Sequence, residues 1–502
     1  MLHTGIIGAG FAGLVAALRL NKQGHDDFVI FERADEIGGT WRDNIYPGCA
    51  CDIEAPLYSF ADEPNPHWSR SYAGQPEILA YMREVVERHD LRRHIRFGSD
   101  IVGADFDAAR GSWTVRTADG AETQVRALLL GLGPLNRVHI PAFEGLADFQ
   151  GKTFHTAEWD PTHSLAGKRV AVIGTGASAI QVIPSLAPEV GELHVFQRTP
   201  AWVQDRNDRG FSAEAQARFR RWPWLQRLLR EAYYWWHEFT GLGFIGYRSV
   251  NRLMKAAALH KLRKEVQDPA LRQQLTPDYT IGCKRILRSD DYYPTFNQDH
   301  VHLITAGIER FEANGIRTAD GQLHALDAVI FATGFRVSDF DFPLRITGLN
   351  GASLFDQLSA NGGQVFKGMT VPGFPNLAFL LGPNTGLGHN TVVHMMESQM
   401  NYLSQYLAYL RELPTGTSLD LKPEVLRRYM AQLEAQFEGT VWQSGCQSWY
   451  LNQHGQNTTL YPRLNTRFRK ITRHFTPQQY EIHQGEEVEG REHSGEVSRA
   501  KA

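Results

Sequence analysis

At 502 residues the chain is too long for one compact core, so two or three domains are expected. Its composition, 42% hydrophobic and 21% charged, is ordinary for a soluble globular enzyme, and a formal net charge of -3 gives no electrostatic footprint for nucleic acid. Four cysteines, Cys49, Cys51, Cys283 and Cys446, are too few and too scattered for a disulfide framework. Cys49 and Cys51 are separated by one residue, which strains a disulfide loop and reads as chance spacing. Met1-Leu-His-Thr leads straight into the first apolar strand without a secretory leader. No apolar run approaches the ~20 residues of a spanning helix. The expectation is a cytoplasmic, reduced protein with no transmembrane segment and no metal site.

Gly5-Ile-Ile reads as a strand, Gly8-x-Gly10-Phe11-Ala12-Gly13 as a turn, and the apolar run from Leu14 as a helix. Such glycines allow a tight turn and close approach of backbone to a pyrophosphate, which then faces the helix N-terminus. Phe28-Val-Ile-Phe supplies the next strand and ends in Glu32, where an acid would accept ribose hydroxyls. The plainer reading is a structural turn with a solvated glutamate. Gly38-Gly39-Thr40-Trp41, Asn44 to Gly48, Asp52 and Tyr58 would alone be read as ordinary loop. Ile78 to Leu91 has helical periodicity. Phe97 to Val115 alternates like a hairpin turning near Gly111, and Ala127 to Gly133 is a buried-strand pattern.

Next comes Phe149-x-Gly151-x-x-x-His155-x-x-x-Trp159-Asp160, which in isolation is a linker with one satisfied histidine and one packed tryptophan. A second strand–turn–helix follows: Lys168 to Ile173, then Gly174-Thr175-Gly176-Ala177-Ser178-Ala179. The strand after it, Leu193 to Phe196, ends not in an acid but in Gln197-Arg198-Thr199. A carboxylate would repel a 2'-phosphate, whereas Arg198 can bind one bidentately, so NADPH is expected over NADH. The plainer reading makes Arg198 a surface charge.

Residues 210–280 carry helical patterns and an aromatic stripe that includes Trp222, Trp224, Tyr234, Trp235, Trp236 and Phe239. Packing between helices is the first expectation; a substrate channel and contact with a membrane surface are the others. Gly241 to Gly246 would suit a flexible lip. Lys284-Arg285 alone is a solvated pair. Asp327 to Phe335 is an apolar strand closing on a glycine turn. Leu380 to Thr391 is a glycine-rich loop opening into a helix, with Asn390 and Thr391 placed to offer N–H donors. His389 there reads as structural. Val425 to Phe437 is helical, Arg467-Phe-Arg-Lys reads as a solvated strand, and Gly485 to Ala502 as a disordered tail.

Two dinucleotide motifs joined by F-x-G-x-x-x-H-x-x-x-W-D resemble the type I Baeyer–Villiger monooxygenases. The resemblance runs from Gly8 to about Phe475. It implies an α/β fold with two Rossmann-like dinucleotide-binding domains and a helical insertion. The FAD domain would span 1–146 and 327–484, and the NADP domain 147–209 and 281–326. The insertion would take 210–280, leaving 485–502 as the tail. It implies FAD and NADP as cofactors, O2 as oxidant and a small apolar ketone as substrate, converted to an ester or lactone through a C4a-peroxyflavin. Carried over residue by residue, Gly39, Thr40, Trp41, Asp52 and Tyr58 contact FAD, and the backbone of Ile101 meets its adenine. His155 and Trp159 couple the linker to domain rotation and NADP position. Lys284 assists 2'-phosphate binding, and Arg285, held by Asp52, is the catalytic arginine. The runner-up is a flavin monooxygenase that oxidises nitrogen or sulfur. Those relatives share Phe149, Gly151 and His155 but lack Trp159, Asp160 and the Lys284-Arg285 context. A membrane-docking protein with a vestigial nucleotide fold is the non-enzyme alternative.

Overall fold

The computed structural model describes residues 1–452 and 454–485, so residues 486–502 of the expected tail lie outside it. The first sheet begins with β1 (Leu2–Ile7) and continues with β2 (Phe28–Phe31), β3 (Ile95–Arg96), β4 (Ile101–Asp107), β5 (Ser112–Thr117) and β6 (Glu122–Leu130). β1 runs parallel to both β2 and β6, while β4–β5–β6 form an antiparallel meander. Buried runs such as Ala127 to Leu130 fit the centre of a parallel sheet, where both faces are covered. Helix α1 (Phe11–Lys22) follows the first glycine turn, then α2 (Thr40–Asp43) and α3 (Gln75–Arg88).

The second sheet is wholly parallel. It contains β7 (Lys152–His155), β8 (Arg169–Ile173) and β9 (Glu192–Phe196), with α4 (Ala179–Leu186) between the last two. The short strands β10 (Val203–Gln204) and β11 (Leu287–Arg288) pair beside it. β12 (Val301–Ile304) completes one edge. The antiparallel β13 (Ile308–Glu312), β14 (Gly315–Thr318) and β15 (Leu323–Ala325) form a separate ribbon. β16 (Ala328–Phe331) then lies between β8 and β7, giving the order β12-β9-β8-β16-β7. This corrects the expected boundary at 327: the apolar strand belongs to the second sheet, and the chain re-enters the first with β17 (Arg345–Thr347) on β4 and β18 (Leu377–Phe379) on β6. A four-residue apolar run suits the interior of either sheet, and only pairing decides between them.

The two passages between the domains lie side by side. Val138 and Phe335 form an antiparallel bridge. His139 N–H donates to Gly334 O at 2.9 Å, and Arg336 N–H donates to Arg137 O at 2.9 Å.

Residues 210–280 are helical, as expected: α5 (Ala213–Arg221), α6 (Pro223–Gly241), α7 (Arg248–Glu265) and α8 (Pro269–Gln274). The aromatic stripe does not pack between them. Tyr234 and Phe244 are buried, but Trp222, Trp224, Trp235, Trp236 and Phe239 are exposed. Gly241 is no flexible lip either, since an added Cβ would press on the His389 ring at 2.6 Å. Arg467 to Lys470 lie in a helix, Asn465–Ile471, not a strand. Cys283 and Cys446, 163 residues apart, form a disulfide with Cα atoms 6.3 Å apart, against the reduced state expected; Cys49 and Cys51 are free. Spacing could not reveal a pair that tertiary folding brings together.

Candidate active site

The two glycine turns sit at the carboxyl ends of β1 and β8, where parallel sheets open their clefts. Gly8 has φ +98° and no room for a side chain, its added Cβ falling 2.7 Å from Gly131 O; one on Gly13 would collide with Gly8 O. Phe11, Ala12 and Gly13 form the buried first turn of α1. Gly10, by contrast, faces only the Cα of Gly39 across the turn, which leaves a cradle lined by backbone. Glu32 closes that cradle: Ala9 N–H donates to its carboxylate at 2.8 Å, as do Ala34 N–H at 3.1 Å and Arg42 Nη1 at 2.9 Å. In the second turn Gly174 has φ +121° against Ala332, while Gly176 has nothing within 4 Å of an added Cβ. Gly176 and Ala177 are exposed there, Ser178 stands at the N-terminus of α4 without a side-chain capping bond, and Thr175 Oγ1 donates to Thr199 O at 2.8 Å. Both turns fit a dinucleotide pyrophosphate: tight where helix meets strand, and open where a ligand would lie.

Arg198 is exposed beside Lys284, and neither makes an ion pair among the described residues. Burial first, and then the charge of Arg198, lower the Lys284 pKa. Lys284 Nζ lies 4.9 Å from the centre of the Tyr279 ring. Asp278 acts on Lys284 in the opposite sense and more weakly, so two cations held together without an ion pair among the described residues form a receptor for an anion.

The segment after α2 wraps an aromatic pocket. Thr40 is exposed at the start of α2; Trp41 is buried and its Nε1 donates to Tyr58 Oη at 3.1 Å. Phe11 stands edge-on to Tyr58 at 5.1 Å. Tyr46 Oη donates to Gln181 Oε1 at 2.8 Å, and Gln181 Nε2 donates to Ala50 O at 2.9 Å, so this segment is fastened to α4 of the other domain. Ile101 opens β4, buried and paired with Thr117.

Across the same junction Arg285 meets Asp52. Nε donates to Oδ2 at 2.9 Å, and Nη2 donates to Oδ1 at 2.8 Å and Oδ2 at 2.6 Å. Burial alone would raise the Asp52 pKa, but the attraction and hydrogen bonds of Arg285, with Arg288 and Arg206 beyond, hold it below the ordinary value. Asp52 in turn raises the Arg285 pKa, against burial. The pair is not sealed: 31% of the Arg285 side chain and 23% of Asp52 stay accessible. They open onto a cleft with apolar walls from Ile53, Phe244, Met254, Ile286 and Leu387. Tyr450 sits beside the pair, fully buried, its hydroxyl without a hydrogen-bond partner among the described residues; burial pushes its pKa up to about 12. Its place beside Arg285 was hidden by their distance along the chain.

A family resemblance this specific is settled by comparison. The flavin-binding monooxygenase-like family matches residues 2–358. The chain is 44% identical to a Baeyer–Villiger monooxygenase of Pseudomonas aeruginosa over 95% of its length and 90% of that protein. The chain belongs to this family, on its Baeyer–Villiger branch. A Baeyer–Villiger monooxygenase of Streptomyces coelicolor is 41% identical over 96% of this chain and 92% of that one. Among solved structures, an oxidised steroid monooxygenase bound to NADP matches with a TM-score of 0.84 and 30% identity, covering 96% of this chain and all of that one. Cyclohexanone monooxygenase from Rhodococcus sp. Phi1 bound to NADP+ also matches at 0.84, with 28% identity, over 96% and 99% of the two chains.

The segment from Phe149 to Asp160 is packed into the fold. Phe149 is buried, and a Cβ on Gly151 would fall 2.6 Å from Asp327 O. His155 ends β7 with no exposed surface; its Nδ1 accepts Ala157 N–H at 3.1 Å, and burial lowers its pKa to about 4. Trp159 packs edge-on to Phe154 at 4.9 Å, and Asp160 pairs with Lys152 at 3.0 Å. The loop ahead of helix Val392–Glu412 is equally engaged. Asn390 Nδ2 donates to Glu238 at 3.0 Å, and Thr391 N–H donates to the Asn390 side chain at 2.8 Å, so that donor is already occupied. His389, expected to be structural, lies 3.3 Å from Glu238 and also lines the cleft.

Proposed function

We propose that this chain converts an apolar ketone to an ester or lactone with O2 and NADPH, using FAD held at the first glycine turn and NADP at the second. The observation that carries the reading is the Arg285–Asp52 pair, made across the domain junction and left open to a cleft walled in part by apolar side chains. Bound FAD would supply the activation of O2, and NADPH the hydride. The protein's part is electrostatic. A guanidinium stays charged at any working pH, so Arg285 supplies fixed positive charge where negative charge develops on oxygen at the ketone carbon. Asp52 orients it without neutralising the cleft entirely, because the Arg285 side chain keeps an accessible edge. Ile53, Phe244, Met254, Ile286 and Leu387 would seat the hydrocarbon part of the ketone and exclude water. Arg198 and Lys284 would take the 2'-phosphate of NADPH, and the Gly10–Gly39 cradle the FAD pyrophosphate, with Glu32 on its ribose.

Arg285→Ala is expected to keep reduction by NADPH but to lose ester formation on a panel of short ketones. Normal ester yield in that variant would defeat the assignment. The runner-up, oxidation of nitrogen or sulfur, requires an enzyme indifferent to Arg285; wild-type turnover of sulfides but not ketones would select it.

A further inference from the structure

Helix α6 is built inside out. Its buried residues are Gln226, Arg230, Tyr234, His237, Glu238 and Gly241, most of them polar. They are satisfied by the first domain and the carboxyl-terminal segment: Arg230 Nη1 donates to the carbonyls of Pro56, Leu57 and Ser59, and His237 meets Glu54 at 2.7 Å. Glu238 accepts the N–H groups of Asn465 and Thr466. The opposite face is apolar and open to solvent. Trp224, Leu228, Trp235 and Phe239 stand on it at i, i+4, i+11 and i+15, each between 47% and 61% exposed. Trp236 widens the stripe, and the ring contacts of Trp235 and Trp236 are to Tyr234 and Phe239 of the same helix.

Folding leaves about half of each of these side chains in water, because the polar face is the one that docks. An exposed apolar stripe of this size marks a surface that a partner covers. The charge beside it names the partner. Arg218, Arg220, Arg221 and Arg227 precede or accompany the stripe, and Arg248 and Arg252 follow it on α7, all exposed. Between Arg218 and Arg252 the exposed carboxylate is Glu231, with Glu214 just ahead of them, in a chain whose net charge is -3. We propose that α6 docks the protein on an anionic membrane surface, its tryptophans at the boundary of headgroup and acyl chain and its arginines on lipid phosphates. A second copy fits less well, since a two-fold contact would set the arginine cluster against itself. His237 and Thr240 of the same helix line the cleft, so a docked enzyme would draw on a lipid phase in which apolar ketones concentrate. Docking itself does not depend on the ketone reading.

The test is flotation of the FAD-loaded holoenzyme with vesicles of phosphatidylcholine, with and without phosphatidylglycerol. The enzyme is expected to float with the anionic vesicles at low salt, to stay behind with neutral ones, and to shift its tryptophan emission to the blue on binding. Trp224→Ser/Trp235→Ser/Phe239→Ser should weaken this binding about tenfold or more, with flavin content and NADPH oxidation unchanged. Arg218→Gln/Arg220→Gln/Arg221→Gln should flatten its salt dependence. Failure of the wild type to float with anionic vesicles would overturn the proposal, and so would undiminished flotation of the aromatic variant. A dimer in solution abolished by that same variant would give the face to a second copy instead.

Discussion

Gly48 and Gly176 look alike in the sequence, yet the structure asks opposite things of them. Gly48 has φ +80°, and a Cβ there would fall 2.6 Å from Gln181 O, where the first domain touches α4. Gly48→Ala should destabilise the protein by about 1–3 kcal/mol, read as a lowered Tm. Gly176 has no positive φ and nothing near an added Cβ. Gly176→Ala should leave Tm unchanged and raise KM for NADPH, because the new methyl occupies the approach of the pyrophosphate. Arg198→Ala should raise KM for NADPH while leaving NADH alone; equal effects on both would return Arg198 to a surface charge. Both glycine turns, and Glu32 beside the first of them, were legible in sequence because their signals are local. The Arg285–Asp52 pair was reached through family resemblance, since 233 residues separate its partners. Tyr450 and the Cys283–Cys446 pair were illegible for the same reason.

At the level of elements, α6 shows where periodicity misleads. A stripe of aromatics at helical spacing ordinarily faces the core, but here buried polar groups compete for that side and win, because each one finds a partner. Glu238 is the centre of that network: burial raises its pKa, but hydrogen bonds from His389, Thr466 and Asn390 outweigh this and hold it at about 2. Glu238→Ala would leave several buried donors without an acceptor, and should lower stability by about 3–5 kcal/mol. A thermal melt of that variant within a degree or two of wild type would show the network to be incidental. Strand β7 offers a second test. His155 at its end has a folded pKa of about 4, below the ordinary 6.5, so the folded state resists its protonation. That penalty is absent above pH 6.5, grows as pH falls, and is complete near pH 4, amounting to about 3 kcal/mol. Tm of the wild type should fall more steeply over that window than Tm of His155→Gln. Parallel slopes would mean that His155 protonates freely.

At the level of the whole molecule, the disulfide joins the loop before Arg285 to the segment before Tyr450. Closing a long loop restricts the unfolded chain, so Cys446→Ser or added reductant should remove roughly 2–4 kcal/mol. The measurement is Tm with and without dithiothreitol; the serine variant should be insensitive to it.

The paired passages at Val138 and Phe335 set the mechanics of the whole. A single strand joining two bodies is a tether, about which one body can swing or twist in any sense. Two strands zipped by backbone hydrogen bonds behave more like the pin of a door, because twisting must break the zip. A swing about that pin would still have to part Gln181 from Ala50 and Arg285 from Asp52, so the zip fixes the axis and those bonds latch the door.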